Sequence, residues 1–229
     1  MRAGVVRLVF LAIISITAAF FLVVNTSSDL LASQGMMVRQ GMELVRMEEC
    51  GCERMVTVQE NLVTLKLPRN KTSLVEIPLE NTTCSVEAFR RGAAQQIVSF
   101  TFFESTDEVP KNDGIRKYFA GIRENLSLVK QLYPGYVMRL YYEAGPEVKT
   151  KLCRLACSEP SLDLCPANDV PKLGNATKVY PLLWRFLPAI DPQVDIFLSR
   201  DLDSRVNNRE VAAVNQFLQS EKNVSWVFL

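Results

Sequence analysis

The most informative part of this 229-residue chain is Val194-Asp-Ile-Phe-Leu-Ser-Arg-Asp-Leu-Asp-Ser-Arg205. Its first half, Val194–Ser199, has the branched and aromatic apolar composition of a buried strand. Its second half places Asp201 and Asp203 directly after that strand. Side chains two residues apart in an extended chain point to the same side, so the two carboxylates can face one ligand. The stretch therefore predicts a buried strand that ends in an acidic loop.

Strands and helices alternate around this stretch. Short apolar runs predict strands at 96–103, 136–142 and 162–165, and helical spacing predicts helices at 113–132, 147–156, 178–189 and 208–220. Asn207 and Glu210 have the spacing of a capping box for the last helix. Such alternation predicts an α/β domain with a parallel sheet between helices on both faces. Because ligands bind outside the carboxyl ends of parallel strands, the loop from Ser199 to Arg205 is the expected site.

The acidic loop is a candidate metal and phosphate site. Carboxylate oxygens are hard ligands that suit Mg²⁺ or Mn²⁺, particularly where substrate phosphates complete the coordination shell. Arg200 and Arg205 beside them could neutralise phosphate charge. An isolated Asp-x-Asp is more often an exposed turn before a helix cap, and its position at a strand end favours the ligand site here.

Overall composition excludes several classes of function. The 26 Lys+Arg balance 25 Asp+Glu to a net charge of +1, so no basic surface of a nucleic-acid-binding protein is expected. The chain has no His, which excludes Ser-His-Asp and Cys-His nucleophiles and every zinc site that contains His. Acid–base chemistry would fall to carboxylates, Lys, Tyr or Cys, and no catalytic residue can be assigned among them.

Two segments, 117–144 and 183–219, resemble a group of glycosyltransferase-like proteins of the GT-A type. The resemblance covers roughly Ile97 to Gln219, a little over half of the chain, and is most specific in RFLPAIDPQVDIFLSRDLDSR at 185–205. It implies a mixed or parallel sheet flanked by helices that binds a nucleotide-diphospho-sugar. By this resemblance Asp203 would ligate a divalent metal (Mn or Mg) at the diphosphate, and Asp201 would contact the metal or the ribose. Arg200 would belong to the same nucleotide-sugar site, and Phe102-Phe103-Glu104 would lie near the nucleoside.

The resemblance implies metal-dependent transfer of a hexosyl or N-acetylhexosaminyl group to a glycan or glycoprotein acceptor. GT-A enzymes normally continue well past the aspartate motif, whereas this chain ends at Leu229, 26 residues after Asp203. The donor-binding half is therefore expected without the acceptor half. A catalytically inactive, truncated, membrane-anchored remnant that acts as an interaction protein is the alternative. A glycoside hydrolase is less well supported, because no second acidic group is marked out across from the loop.

The amino-terminal residues predict a membrane anchor. An apolar run at 8–24 follows Arg2 and Arg7 and reaches the minimum length of a bilayer span. The flanking positive charges place the amino terminus in the cytosol. A cleaved signal peptide, and hence a secreted protein, is the alternative, but the run does not end in an Ala-x-Ala site. We expect a single-pass type II protein of the Golgi or endoplasmic reticulum membrane with a lumenal body.

Sequons and cysteines also indicate a lumenal body. Six Asn-x-Ser/Thr sequons occur; Asn25 adjoins the membrane, which leaves as glycosylation candidates Asn70, Asn81, Asn125, Asn175 and Asn223. The even set of six cysteines is expected to form disulfides rather than a zinc site, with the pairing left open among Cys50, Cys52, Cys84, Cys153, Cys157 and Cys165. Cys153 or Cys157 could reach Cys165 around a short loop.

Three regions follow from these patterns. Residues 1–25 are the expected cytosolic tip and transmembrane anchor. Residues 26–92 are the expected stem, with a small β appendage built from alternating runs at 55–58, 62–67 and 74–79 and tied by Cys50, Cys52 and Cys84. Residues 93–229 are the expected nucleotide-sugar-binding domain.

Overall fold

The computed structural model describes residues 20–25, 41–67, 71–104, 111–220 and 224–228. Its strands are β1 (Phe20–Asn25), β2 (Gly41–Met47), β3 (Cys52–Val58), β4 (Leu62–Leu67), β5 (Lys71–Glu76), β6 (Gln95–Phe103), β7 (Val137–Glu143), β8 (Leu162–Pro166), β9 (Val194–Ser199) and β10 (Val224–Phe228). Its helices are α1 (Val86–Arg90), α2 (Lys111–Leu132), α3 (Pro146–Ser158) and α4 (Asn208–Leu218). Short 3₁₀ helices occupy Leu79–Asn81, Ala176–Lys178 and Pro181–Ile190.

The central sheet has the strand order β10-β1-β9-β6-β7-β8. Strands β9, β6, β7 and β8 are parallel, and β1 and β10 extend the sheet in antiparallel pairs. The parallel sheet predicted from the alternation is therefore confirmed for four strands. Because β7 and β8 follow β6 on one side and β9 lies on its other side, the strand order reverses between β6 and β9.

One face of the parallel sheet carries α2, α3 and α4. Alternate residues of each strand point to this face and build the main core with the apolar stripes of the three helices. The strand residues of this core include Val98, Phe100, Phe102, Met138, Leu140, Leu164, Ile196 and Leu198, and the helices contribute Ile122, Leu126, Val129, Leu152, Val214 and Phe217. The predicted strands and these three helices are thus confirmed within two residues at each end.

The other face is covered differently from the prediction. The α-helix expected at 178–189 is a 3₁₀ helix that begins at Pro181 and contains Pro188. Pro188 lacks a backbone N–H and its ring clashes with an α-helical carbonyl, so the segment cannot continue as an α-helix. Trp184 anchors it: the indole is fully buried beside Tyr141 and Cys165, and Nε1 donates to the carbonyl of Ala176 at 2.9 Å.

The amino-terminal appendage consists of two separate hairpins. β2 pairs with β3, and β4 pairs with β5, each as an isolated antiparallel sheet. Residues 41–47, predicted as part of a solvated stem, form β2 instead. The predicted runs at 55–58 and 62–67 are strands, but each takes a different partner strand.

Three disulfides join the amino-terminal region to the α/β domain. They link Cys50 to Cys153, Cys52 to Cys157, and Cys84 to Cys165, with Cα–Cα distances of 5.2, 6.2 and 4.5 Å. The expectation of disulfides is confirmed, whereas the suggested link from Cys153 or Cys157 to Cys165 is wrong. Both α3 cysteines face the turn and strand that follow β2, while Cys165 on β8 faces Cys84 across the opposite side of the sheet.

The predicted membrane span at 8–24 lies largely outside the described residues. Its last residues belong to β1, which pairs with β9 and β10. Within the ranges that the structure describes, no helix combines the length and apolar character needed to cross a bilayer.

Candidate functional site

The acidic loop begins where the strand order reverses. β9 ends at Ser199, opposite Ser99 in the middle of β6, and β6 continues to Phe103. The backbone N–H of Arg200 donates to the carbonyl of Ser99 at 2.9 Å, so the chain leaves the sheet beside β6. In parallel sheets this is the position at which ligands bind.

The loop turns immediately after Asp201. The N–H of Ser204 donates to the carbonyl of Asp201 at 3.2 Å, and the Leu202 side chain is buried in the main core. The chain is therefore not extended through Asp203 as the sequence predicted, because burial of Leu202 pulls it into a turn. Asp203 lies exposed at the outer part of this turn.

Helix α2 contacts the loop and fixes its position. Asn125, fully buried, donates through Nδ2 to the carbonyl of Leu202 at 3.1 Å and accepts from the N–H of Val206 at 3.3 Å. One turn earlier, a Cβ on Gly121 would lie 3.0 Å from the Leu202 carbonyl oxygen, so the helix approaches the loop closely. A glycan on the Asn125 nitrogen is incompatible with this arrangement, unlike one on the exposed Asn175.

Arg185 provides a positively charged side chain that contacts the loop. Its Nη1 pairs with Asp201 Oδ1, and the two side chains are 11% and 25% exposed. Burial lowers the pKa of Arg185, and the nearby charge of Asp203 opposes that shift. Arg185 was not predicted as a site residue, although it is the first residue of the 185–205 segment in which the resemblance is most specific. Its 3₁₀ helix, which brings it back to the strand end, could not be predicted from helical spacing.

Arg200 points to the other side of the loop. It is buried, with Nη1 at 3.1 Å from Glu210 Oε2 on α4 and Nη2 donating to the carbonyl of Arg205 at 3.2 Å. The expected contact of Arg200 with phosphate is therefore not supported: Arg200 joins the loop to α4. Arg205 is also engaged in the fold, through Glu124 and the carbonyl of Leu202.

Glu210 completes this internal support. Burial raises its pKa to about 7, against the opposing charge of Arg200 and a hydrogen bond from Tyr133. The Tyr133 hydroxyl donates to Glu210 Oε1 at 3.3 Å. The predicted cap is half formed, because Asn207 Oδ1 accepts from the Glu210 N–H at 3.1 Å while the Glu210 carboxylate bonds elsewhere.

Buried hydroxyl groups lie on the sheet face beneath the Pro181–Ile190 segment. Ser99 and Ser199 are paired in register, and Thr101 follows on the same face of β6. Their positions are buried, yet their hydroxyl oxygens have no hydrogen-bond partner in the part of the chain that the structure describes. Buried hydroxyl groups without partners are costly in a closed core. The sheet face beside the loop therefore carries polar groups that have no partner among the described residues.

The residues at the end of β6 make contacts within the fold. Phe102 belongs to the main core, and the Phe103 ring meets Trp184 edge to face at 6.4 Å. The Glu104 carboxylate accepts from the N–H of Gly145 at the start of α3. The three residues expected near a nucleoside therefore already have contacts within the protein.

The loop presents two carboxylates as candidate ligands for a hard divalent cation. Asp203 is exposed, whereas Asp201 is partly exposed and already pairs with Arg185, and no group of three or more His, Cys, Asp or Glu ligands occurs among the residues described. Mg²⁺ and related ions are commonly held by one or two carboxylates, with water and substrate phosphates as the remaining ligands. Two surface cavities of about 350 and 330 Å³ lie elsewhere and include no residue of the loop.

Comparison of the chain with protein-family models, with curated proteins and with solved structures finds no significant match.

Proposed function

We propose that the loop after β9 is the donor site of a glycosyltransferase-like protein, which binds a nucleotide-diphospho-sugar together with Mn²⁺ or Mg²⁺. The observation that carries the proposal is the location of Asp201 and Asp203 at the carboxyl end of β9, where the strand order reverses. That location is shared by the ligand sites of open α/β sheets. The fold alone does not define the reaction, so the proposal rests on the loop.

Each residue of the site has a distinct role in this proposal. Asp203 is the main cation ligand because it is exposed, and Asp201 is a second ligand. The bound cation would draw off the negative charge that develops on the departing diphosphate. Asn125 and Arg200 hold the loop against α2 and α4, so that the two carboxylates keep their positions.

Three disulfides support a location in the secretory pathway, where such bonds persist. We place the protein in the Golgi or endoplasmic reticulum membrane as a type II protein with a lumenal body, or outside the cell if the amino-terminal segment is cleaved. The acceptor would be a glycan or glycoprotein. Among the glycosylation candidates Asn175 is exposed and Asn81 half-buried, and Asn70 and Asn223 lie outside the described residues.

Thermal unfolding of the chain with Mn²⁺ and a panel of nucleotide sugars tests this function. A nucleotide sugar at 100 times its Kd should add about 2.7 kcal/mol of stability, and only when Mn²⁺ is present. Asp203→Ala should abolish the effect. Asp169→Ala, which removes an exposed carboxylate after β8, should preserve it. Equal responses of the two variants would contradict the proposal.

A non-catalytic interaction protein is the second candidate. Met42, Leu44 and Met55 lie on one face of the β2–β3 hairpin with exposed fractions of 59%, 61% and 43%. Leu44 and Met55 are directly opposite each other in register, so the exposed apolar residues are contiguous. Contiguous apolar surface often marks an interaction site. A cooperative unfolding transition that responds to no nucleotide sugar would favour this candidate.

A further inference from the structure

We propose that Arg185 changes partner during ligand binding: it pairs with Asp201 in the ligand-free protein and moves to a ligand phosphate when a divalent cation takes the Asp201 carboxylate. The inference deepens the proposed donor site and rests on it. It assigns Arg185 as a phosphate-binding residue and as a competitor of the metal.

The Arg185–Asp201 pair differs from the structural ion pairs of this protein. Asp163 is fully buried and accepts from both Arg54 and Arg91, with both carboxylate oxygens used. In contrast, Asp201 is a quarter exposed, and Arg185 Nε has no hydrogen-bond partner among the described residues although the residue is nine-tenths buried. A guanidinium with an unused buried donor can gain hydrogen bonds when it changes partner.

Formal charges link the metal to the phosphate. Arg185 contributes one positive charge, and Asp201 and Asp203 contribute two negative charges near it. A bound divalent cation makes the total charge of these groups positive. The two negative charges of a nucleotide-sugar diphosphate are then attracted by both the cation and the released guanidinium. The exchange therefore predicts that cation and diphosphate bind cooperatively, with Arg185 carrying part of the coupling.

The backbone of the 3₁₀ helix keeps Arg185 within reach of the loop. Neighbouring Trp184 is fully buried and hydrogen-bonded, so the backbone at Arg185 is fixed while its long side chain can change direction. The Arg185 guanidinium lies 5.4 Å from the centre of the Phe186 ring, which supports its planar group on one side. A planar fork of N–H donors matches two phosphate oxygens, a geometry that Lys cannot reproduce.

The test compares Arg185→Gln and Arg185→Lys in the full chain, with Arg209→Gln as the matched control. Arg209 is exposed on α4, and its substitution removes the same charge without touching the loop contacts described above. The probes are Mn²⁺ alone, followed through the signal of free Mn²⁺ in electron paramagnetic resonance, and inorganic pyrophosphate at saturating Mn²⁺, followed by calorimetry. Melting temperature and disulfide content verify that each variant is folded.

We expect Arg185→Gln to bind Mn²⁺ alone more tightly than wild type, by about threefold or more, because the competing cation is gone. The same variant should bind pyrophosphate about tenfold or more weakly, because a charge-assisted hydrogen-bond donor is gone. Arg185→Lys should keep Mn²⁺ affinity near wild type and recover only part of the pyrophosphate affinity. Arg209→Gln should leave both affinities within about twofold.

Two results would overturn the inference while the donor site stands: wild-type affinities in Arg185→Gln, or parallel weakening of Mn²⁺ and pyrophosphate as expected of a purely structural residue. Failure of the donor site itself has a different signature. Wild type and all variants would then bind Mn²⁺ no better than Asp203→Ala does, which contradicts both proposals.

Discussion

Two sets of Arg–Asp pairs lie at opposite ends of the parallel sheet and differ in how completely they are satisfied. At the end of the sheet where the parallel strands begin, Asp163 on β8 binds Arg54 and Arg91. There too Asp191, which precedes β9, pairs with Arg139 at 2.8 Å. These side chains are almost completely buried. At the carboxyl end, Asp201 has one guanidinium partner and remains partly exposed.

The difference separates a structural network from a binding site. Burial alone would raise the pKa of Asp163, but the charges of Arg91 and Arg54 hold it below its ordinary value. Such a network is closed, since each partner depends on the others. The Arg185–Asp201 pair at the carboxyl end is partly exposed and can be reached by a ligand. In our proposal, Arg and Asp therefore stabilise the fold at one end of the sheet and bind a ligand at the other.

The largest effect is expected from Asp163→Asn. The substitution leaves Arg54 and Arg91 buried without a counter-charge, and we expect a loss of about 3–5 kcal/mol in the free energy of unfolding. Urea unfolding measures it, with the exposed Asp169→Asn as the control. A loss below about 1 kcal/mol, the range of surface pairs, would remove the distinction between the two regions.

The next effect is the pH dependence due to Glu210. Its folded pKa of about 7 lies above the ordinary value of 4.5, so its contribution to stability is fully present below the ordinary pKa and is lost as pH rises through about 7. Wild type should therefore lose stability relative to Glu210→Gln over this window, on the order of 3 kcal/mol. Unfolding measured at several pH values checks this. Parallel pH profiles for the two proteins would show that Glu210 is not the responsible group.

A smaller effect is expected when the loop loses its support from α2. Asn125→Ala leaves the Val206 N–H without its Asn125 partner and removes one of the two donors to the Leu202 carbonyl, so it should cost about 1–3 kcal/mol, together with weaker Mn²⁺ binding. Ser127→Ala is the matched control, because it removes the same sequon and keeps Asn125. If Ser127→Ala had the same effect, a glycan rather than the hydrogen bonds would explain the loss.

The smallest effect on stability should come from Asp203→Asn. The side chain is exposed, so the free energy of unfolding should change by less than about 0.5 kcal/mol while Mn²⁺ binding is lost. Chemical unfolding and Mn²⁺ titration of the same preparation provide both values. A large loss of stability would place Asp203 with the structural residues.

Periodicity predicted much of this fold because its signals are local. The apolar runs around Val98, Leu140 and Leu198 and the stripes of α2 and α4 define the sheet and its helices, and the acidic loop follows β9 as expected. The direction of the loop after β9 was not predictable from the sequence. Leu202 turns the chain into the core, and Arg200 faces Glu210 instead of solvent.

Long-range pairings explain the other differences. Cys50 and Cys153 are 103 positions apart, and no local pattern selects that pairing among the alternatives. Arg185 meets Asp201 only because Pro188 and the buried Trp184 shape the intervening segment as a 3₁₀ helix. The sequon at Asn125 carries no signal that its side chain is buried beneath the loop.

Hydrogen exchange of the full chain with and without Mn²⁺ and nucleotide sugars separates a binding site at one end of the sheet from a structural network at the other, because it reports on both ends at once. We predict slower exchange at 199–206 and 181–190 when cation and nucleotide sugar are present together. Exchange around Arg91, Arg139 and Asp163 should be unchanged. Protection confined to the end of the sheet where the parallel strands begin, or no protection with any nucleotide sugar, would show that the loop after β9 is not the binding site.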